Sequence, residues 1–327
     1  MRAIVYTRYG APEVLTLTER DKPVPRFNQV LVKVHAVSLN PLEWHHLRGK
    51  PFLVRISAGL AKPKPEYQVQ VIDVAGIVDA LGADVTRFKV GDTVFGNAPF
   101  GGLADFVAVK EAQLSIMPVG FSMIEATCLP VAGGTALQAL REYGKVQTGD
   151  QVLINGSSGG VGIFSVQIAK ALGARVTAVC STRNIELVRS LGADEVLDYT
   201  AGDVTRAGKL YDVVLDNVGN FSVQTFKRLL KPAGRGVVVG FTSIGRFLHI
   251  ALFGKMRGRS IAPMFADVTP EVLATLKGYA DAGQLRSVID RTWPLEKTSD
   301  ALAYLEGYHV RGKVVVTLAG AAASPPG

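Results

Sequence analysis

The chain is expected to be an α/β protein in which a doubly wound parallel sheet accompanies a second, β-rich domain. Three observations predict this. From residue 148 onward, short apolar runs alternate with helical segments. A glycine-rich turn, Gly156-Ser157-Ser158-Gly159-Gly160-Val161-Gly162, falls between the first such run and the first such helix. Residues 1 to about 120, by contrast, are rich in valine and in short strand-like runs.

In the first part, residues 3–6, 14–18, 29–37, 69–81, 93–96 and 106–109 are strand candidates, interrupted by Pro23, Pro25, Gly82 and Gly91. Val30, Val32 and Val34 alternate, the period of a strand with one buried face. Short antiparallel strands curled into a partial barrel account for the pattern. Ser122 followed by Glu125 forms a capping-box signal for the helix leading into the next domain, which places the boundary at 121/122.

The second domain is expected over 122–265. Residues 152–154 form a continuous apolar run, the mark of a strand buried on both faces. Beyond the turn, Val161, Phe164, Ser165, Ile168, Ala169 and Leu172 recur at helical spacing until Gly173 ends the helix. Residues 175–180 are the next strand, and 195–199, 212–217, 236–240 and 260–265 complete six. Ser157-x-Gly159-x-x-Gly162 matches a dinucleotide fingerprint with serine for its first glycine. Gly159 is expected to let the backbone approach a pyrophosphate, Gly162 to let helix and strand pack closely, and the first N–H groups of the helix to face the anion. After the second strand, where an NAD site carries an acid for the ribose 2′-hydroxyl, the chain has Ser181, Thr182 and Arg183. Hydroxyls and a guanidinium suit a 2′-phosphate, so NADPH is the expected cofactor.

The closing segments, a helix over 270–282, a strand at 288–289, a helix over 299–306 and a strand over 313–318, have no place in a completed parallel sheet. Residues 266–327 are therefore assigned to the first domain, with the tail AGAAASPPG expected to be disordered.

Composition narrows the function. The 327 residues are 48% hydrophobic and 20% charged, with 35 glycines, as a sizeable α/β protein with many tight connections would be. Net charge is +8, but the basic residues are scattered without an aromatic-interleaved motif, so an anionic cofactor is a better partner than nucleic acid. Cys128 and Cys180 are the only cysteines, too few for a disulfide framework or a four-cysteine metal site. With no signal peptide and no apolar run of the ~20 residues that span a bilayer, the cytoplasm is the expected location.

As a set, VSLNPLEW (37–44), DVAGIV (73–78), VGDTVFG (90–96), GGLADFVAV (101–109), LPVAGGTALQAL (129–140), NGSSGGVGIFSVQIAKALGA (155–174), LGADEVLDY (191–199), DNVG (216–219) and RGKVVV (311–316) are specific. The chain resembles the zinc-free quinone oxidoreductase branch of the medium-chain dehydrogenases and reductases, over nearly its whole length. The resemblance implies a GroES-like partial barrel for substrate, a Rossmann domain for NADPH and a cleft between them. It implies that Ser158, Gly159, Gly160 and Val161 cradle the pyrophosphate, that Ser181, Arg183 and Tyr199 hold the 2′-phosphate, and that Thr135 lies near the nicotinamide. Val218 with Gly219, and Gly240 with Phe241, would line the ribose and ring, with Arg311 and Lys313 closing the site.

Zinc-dependent relatives place a cysteine where this chain has Asn40 and a histidine where it has Ile72, and the cysteine-rich lobe for structural zinc is absent. No metal is expected. Adjacent His45 and His46 point in different directions and are expected on the surface or along the cleft. Without a Lewis acid the acceptor must hold the transferred charge itself, as a quinone does by aromatising and a conjugated enone by forming an enolate. Asn40 is the expected hydrogen-bond donor to the developing oxyanion, and Trp44 and Tyr67 the expected stacking partners of a flat substrate. A binding protein that holds NADPH without turnover is the alternative function, and an alcohol dehydrogenase a more distant one. Before Asp73 the family carries Gly-x-Asp, whereas here it is Val71-Ile72-Asp73, a departure in the turn bordering the substrate cleft. Residues 244–259, an apolar run with a basic end, are expected at a homodimer interface, with weak membrane-surface contact as the minor alternative.

Overall fold

The computed structural model of the chain describes residues 1–206, 208–240, 245, 249–250, 252, 254–256, 259–307 and 310–318. It divides into two compact units, one comprising Met1–Val131, Val268–Asp281 and Ser287–Gly327, the other Ala132–Asp267 and Ala282–Arg286.

The first unit opens with β1 (Arg2–Val5) and β2 (Thr16–Glu19), an antiparallel pair, and continues with β3 (Gln29–Leu39), β4 (Asp73–Leu81), β5 (Thr93–Asn97), β6 (Phe106–Lys110) and β7 (Leu114–Ile116). Val30, Val32 and Val34 are buried as their alternation predicts, but so is Leu31. The register between β3 and β4 shifts at Leu31/Val32 and at Val34/Ala36, and such bulges coil a strand so that both its faces are covered. The strand expected over 14–18 starts instead at Thr16, because Pro12–Val14 winds into a short 3₁₀ turn. The strand expected over 69–81 starts at Asp73. Val71 sits at φ +71°, left-handed backbone that glycine adopts freely and a β-branched residue does not, and this interrupts the strand. Sequence reasoning passed over helix Pro41–Arg48, although Asn-Pro is a good helix-opening pair.

Ser122 and Glu125 form the expected capping box: the hydroxyl accepts from the Glu125 N–H, and the Glu125 carboxylate accepts from the Ser122 N–H at 2.9 Å. The boundary nevertheless lies at 131/132 rather than 121/122. Thr127 Oγ1 donates to the Asp73 carbonyl at 3.1 Å and the Val131 N–H to Asp73 Oδ1 at 3.0 Å, which ties this stretch to the first unit.

The second unit contains β8 (Gln151–Asn155), β9 (Arg175–Cys180), β10 (Glu195–Asp198), β11 (Tyr211–Asp216), β12 (Leu230–Val238), β13 (Lys255–Met256) and β14 (Arg259–Pro263). Their spatial order is β10-β9-β8-β11-β12-β14-β13, parallel throughout except for antiparallel β13. The expected doubly wound sheet is therefore present. Its topological switch lies between β8 and β11, where such sheets bind ligands at their carboxyl edge. Helix Gly160–Ala171 joins β8 to β9. Residues 282–286 also go with this unit, not the first, because Gln167 on that helix accepts from the Arg286 N–H at 2.8 Å and donates to its carbonyl at 3.0 Å.

The chain then returns to the first unit, as expected, with β15 (Ile289–Pro294), helix Thr298–Glu306 and β16 (Lys313–Thr317). β16 pairs antiparallel with Ala36–Leu39 of β3 and parallel with β15. The tail 319–327 and half of 244–259 lie outside the described residues. Among the described residues no helix is long and apolar enough to cross a membrane.

The contact between β8 and its helix gives a test. A Cβ on Gly162 would lie 2.0 Å from the Gly156 carbonyl oxygen and 2.7 Å from Ser157 Cα, whereas one on Gly159 would meet only the Gly156 oxygen at 3.5 Å. Gly162→Ala is expected to lower stability by ~2 kcal/mol or more, while Gly159→Ala leaves it nearly unchanged. Equal urea midpoints for the two variants would contradict this.

Candidate functional site

At the carboxyl end of β8 the chain turns through Gly156, whose φ of +74° and 2.7 Å Cβ approach to Val218 Cγ2 exclude a side chain. Ser157 explains why the fingerprint's first glycine is replaceable here. Its N–H donates to the Val179 carbonyl at 3.1 Å, its hydroxyl donates to the Ile154 carbonyl at 2.7 Å, and the same oxygen accepts from the Val179 N–H at 3.0 Å. The buried serine thus pins the turn to β9. The first intrahelical bond runs from Ile163 N–H to Gly159 O, so the N–H groups of Gly160, Val161 and Gly162 precede it at the positive end of a twelve-residue helix. The uncrowded Gly159, where a Cβ would meet only the Gly156 oxygen at 3.5 Å, and this row of donors fit an anionic cofactor group.

Beyond β9, Ser181, Thr182 and Arg183 stand where the sequence places them. Thr182 is not available for a phosphate: its hydroxyl donates to Asp198 Oδ2 at 2.5 Å. Bonds from Thr182 and Thr200 hold the half-buried Asp198 carboxyl below its usual range. Arg183 is exposed and Ser181 half-buried. Tyr199 is 59% exposed at the end of β10, its N–H on the Cys180 carbonyl. Sequence reasoning missed Asn184, which is buried and donates through Nδ2 to Ser158 Oγ at 2.9 Å and Ser181 Oγ at 3.3 Å.

At the end of β11, buried Asp216 accepts from the Val218, Gly219 and Phe221 N–H groups and from Asn155 Nδ2. Burial outweighs these bonds and raises its pKa. The network shapes the Asn217-Val218-Gly219 loop. Both side-chain polar atoms of Asn217 are buried without a partner among the described residues, and Val218 is 41% exposed. A Cβ on Gly240 would come 2.5 Å from the Asn217 carbonyl oxygen, which accounts for glycine there. Thr135 is buried in helix Gly134–Gln138. Phe241 lies outside the described residues.

The first unit corrects two expected roles. Asn40 does not offer its amide to a substrate: Nδ2 donates to Asp73 Oδ2 at 2.9 Å and to the Ser38 carbonyl at 3.4 Å, which uses both hydrogens. Lys313 does not reach for a cofactor. It is 3% exposed, and Nζ donates to Asn40 Oδ1 at 2.6 Å and to the Leu39 carbonyl at 3.1 Å, with Asp73 Oδ2 3.9 Å away. Strand register causes both results, since Ser38 lies opposite Asp73 and Leu39 opposite Val314. Arg311 is exposed, and its N–H meets Asp290 at 3.2 Å.

Glu43 adjoins this buried cluster, its Oε2 accepting from the Asn40 N–H at 2.6 Å while Oε1 has no partner. Burial and then the Asp73 charge push its pKa up to about 8. Burial likewise raises the pKa of Asp73, against the pull of Lys313. His46 is buried rather than on the surface, stacks with Tyr67 at 5.7 Å and is pushed down to about 4 by burial. Tyr67 also meets Phe100 edge-on at 4.8 Å, and the two line a groove with Glu66 and Pro99. Trp44 stacks on His45 at 3.7 Å. Among the described residues no three His, Cys, Asp or Glu side chains are grouped to hold a metal.

Comparison with known proteins agrees with this architecture. The family pattern described as "Alcohol dehydrogenase GroES-like domain" matches residues 26–119, and that described as "Zinc-binding dehydrogenase" matches 191–316. The chain is 34% identical to the "Chloroplast envelope quinone oxidoreductase homolog" of Arabidopsis thaliana, over 97% of this chain and 98% of that protein. It is also 34% identical to the "NADPH-dependent alkenal/one oxidoreductase, chloroplastic" of the same plant, over 97% and 79%. The solved quinone oxidoreductase of Coxiella burnetii superposes with a TM-score of 0.85 at 32% identity, covering 97% of this chain and 99% of that one.

Two outcomes follow from the buried cluster. Lys313→Met, which strips the cation from beside Asp73, is expected to cost ~3–5 kcal/mol, whereas exposed Arg311→Met stays within ~0.5 kcal/mol; chemical denaturation of both checks the contrast. Glu43 holds its proton in the fold up to about pH 8, against 4.5 for the ordinary group, so its contribution is complete below 4.5 and is lost as pH rises through 8. Glu43→Gln cannot ionise and is expected to flatten the decline of Tm across that window. An unchanged slope would assign the decline to another group.

Proposed function

This chain belongs to the quinone oxidoreductase branch of the medium-chain dehydrogenases and reductases, and we propose that it reduces quinones or α,β-unsaturated carbonyl compounds with NADPH, without zinc. It is an oxidoreductase with a GroES-like unit and a Rossmann unit. The observation that carries the reading is the turn at Gly156–Gly162. It combines an uncrowded Gly159, the donors of the first helical turn and the switch point of a doubly wound sheet.

Gly159, Gly160 and Val161 would hold the pyrophosphate. Ser181, Arg183 and Tyr199 would hold the 2′-phosphate, where no carboxylate follows β9 directly. The name of one Arabidopsis relative, an NADPH-dependent alkenal/one oxidoreductase, supports the same cofactor. Bound there, NADPH supplies a hydride. Thr135, Val218 and Gly240 are the proposed ribose and ring contacts.

Two features of the first unit support zinc-free chemistry. Asn40 is engaged with Asp73 and Ser38, and the Lys313 ammonium already neutralises the buried carboxylate. A second cation there would meet that charge directly. With the Asn40 amide occupied, an acceptor that carries its own negative charge, by aromatising or as an enolate, suits this chain better than a simple ketone. Trp44 and Tyr67 are the proposed surfaces for a flat acceptor. A homodimer and a cytoplasmic location belong to the same proposal on the sequence reading alone.

Loss of NADPH absorbance with a panel of quinones and enones, undiminished by a zinc chelator, is the expected result. Binding of NADPH without its oxidation would favour the sensor alternative, and activity lost on chelation would overturn the zinc-free reading.

A further inference from the structure

We propose that Asn184 is a positioning residue for the cofactor, setting the hydrogen-bond polarity of two serines so that both present hydrogens to phosphate. The inference rests on the NADPH reading above and adds a residue and a mechanism to it. Asn184 is 4% exposed in the 3₁₀ turn Thr182–Asn184 that follows β9. Its backbone N–H donates to the Ser181 carbonyl at 2.9 Å, which fixes it under the turn. From there Nδ2 donates to Ser158 Oγ, in the glycine turn, and to Ser181 Oγ, after β9, at 2.9 and 3.3 Å.

A serine hydroxyl has one hydrogen and two lone pairs. An amide N–H that fills a lone pair leaves the hydrogen to be donated elsewhere. Among the described residues neither hydroxyl donates to a protein acceptor, and both serines are half-buried rather than sealed. The hydroxyls therefore keep their hydrogens for anionic oxygens, Ser158 on the side of the pyrophosphate and Ser181 on the side of the 2′-phosphate. The opposite polarity, an acceptor oxygen under both serines, would draw the two hydrogens inward and turn lone pairs toward the phosphates. One buried amide thus couples the pyrophosphate cradle to the group that separates NADPH from NADH. Asn184 Oδ1 is itself buried without a partner among the described residues, so no other hydrogen bond of the amide among them accounts for it.

The test is calorimetric binding of NADPH and NADH to the wild type, Asn184→Ala, Asn184→Asp, Ser181→Ala and the double variant Asn184→Ala with Ser181→Ala. Asn184→Ala is expected to weaken NADPH about tenfold and NADH by less, since only NADPH carries the 2′-phosphate. Asn184→Asp, which reverses the polarity and adds charge, is expected to weaken NADPH on the order of a hundredfold. In the cycle, removing Asn184 after Ser181 should cost less NADPH affinity than removing it first. Retention of the wild-type NADPH-to-NADH ratio in Asn184→Ala, or full additivity with Ser181→Ala, would overturn the proposal. If Asn184→Ala fails to fold, a wild-type ratio in Asn184→Asp overturns it equally. A wild type that binds both nucleotides alike would instead defeat the cofactor reading itself, a result separable from the behaviour of the variants.

Discussion

Much of the second unit depends on one close approach, that of helix Gly160–Ala171 to the end of β8 at Gly162. Only a residue without a Cβ allows it, because the Gly156 carbonyl oxygen and the Ser157 backbone already occupy that space. The approach aims the first turn of the helix at the carboxyl edge of the sheet, beside the switch between β8 and β11. Ser157 secures the same corner from the other side through three hydrogen bonds to β8 and β9. A turn fixed this rigidly is preorganised to bind an anion, with little ordering left to be done when the ligand arrives.

The first unit is organised around a different constraint, a buried charge that needs a counter-charge. Asp73 is fully buried, and its carboxylate is satisfied by Ser38, Asn40 and the Val131 N–H, with the Lys313 ammonium nearby. These groups come from distant parts of the chain, brought together by the pairing of β3 with β4 and β16. The cluster thereby joins the ends of β3, β4 and β16. Glu43, beside it, is better accommodated neutral than charged.

Val71 shows that a departure from a family pattern can be a physical problem as well as a clue. In left-handed backbone that glycine adopts freely, it delays the start of β4 to Asp73, and its carbonyl accepts from the Gly102 N–H at 2.9 Å. The turn is preserved despite the side chain, held by the hydrogen bonds of the neighbouring segment. Asp198, engaged with Thr182 and Thr200, is a second local adjustment: it removes one of three polar residues that, from the sequence, were all expected to face a phosphate.

By itself the sequence determined the two-unit architecture, the doubly wound sheet class, the glycine turn and the return of the closing strands to the first unit. These depend on periodicity, glycine placement and strand length, which are local properties written along the chain. Tertiary structure alone decided what the polar side chains of the candidate site touch. Asn40 and Lys313 look like free functional groups in the sequence, yet strand register buries them against each other. Asn184 looks like an ordinary residue at a helix start, yet it lies under two serines from separate loops. Hydrogen-bond partners are chosen by three-dimensional proximity, and no spacing along one strand can state which residues a neighbouring strand will bring beside it.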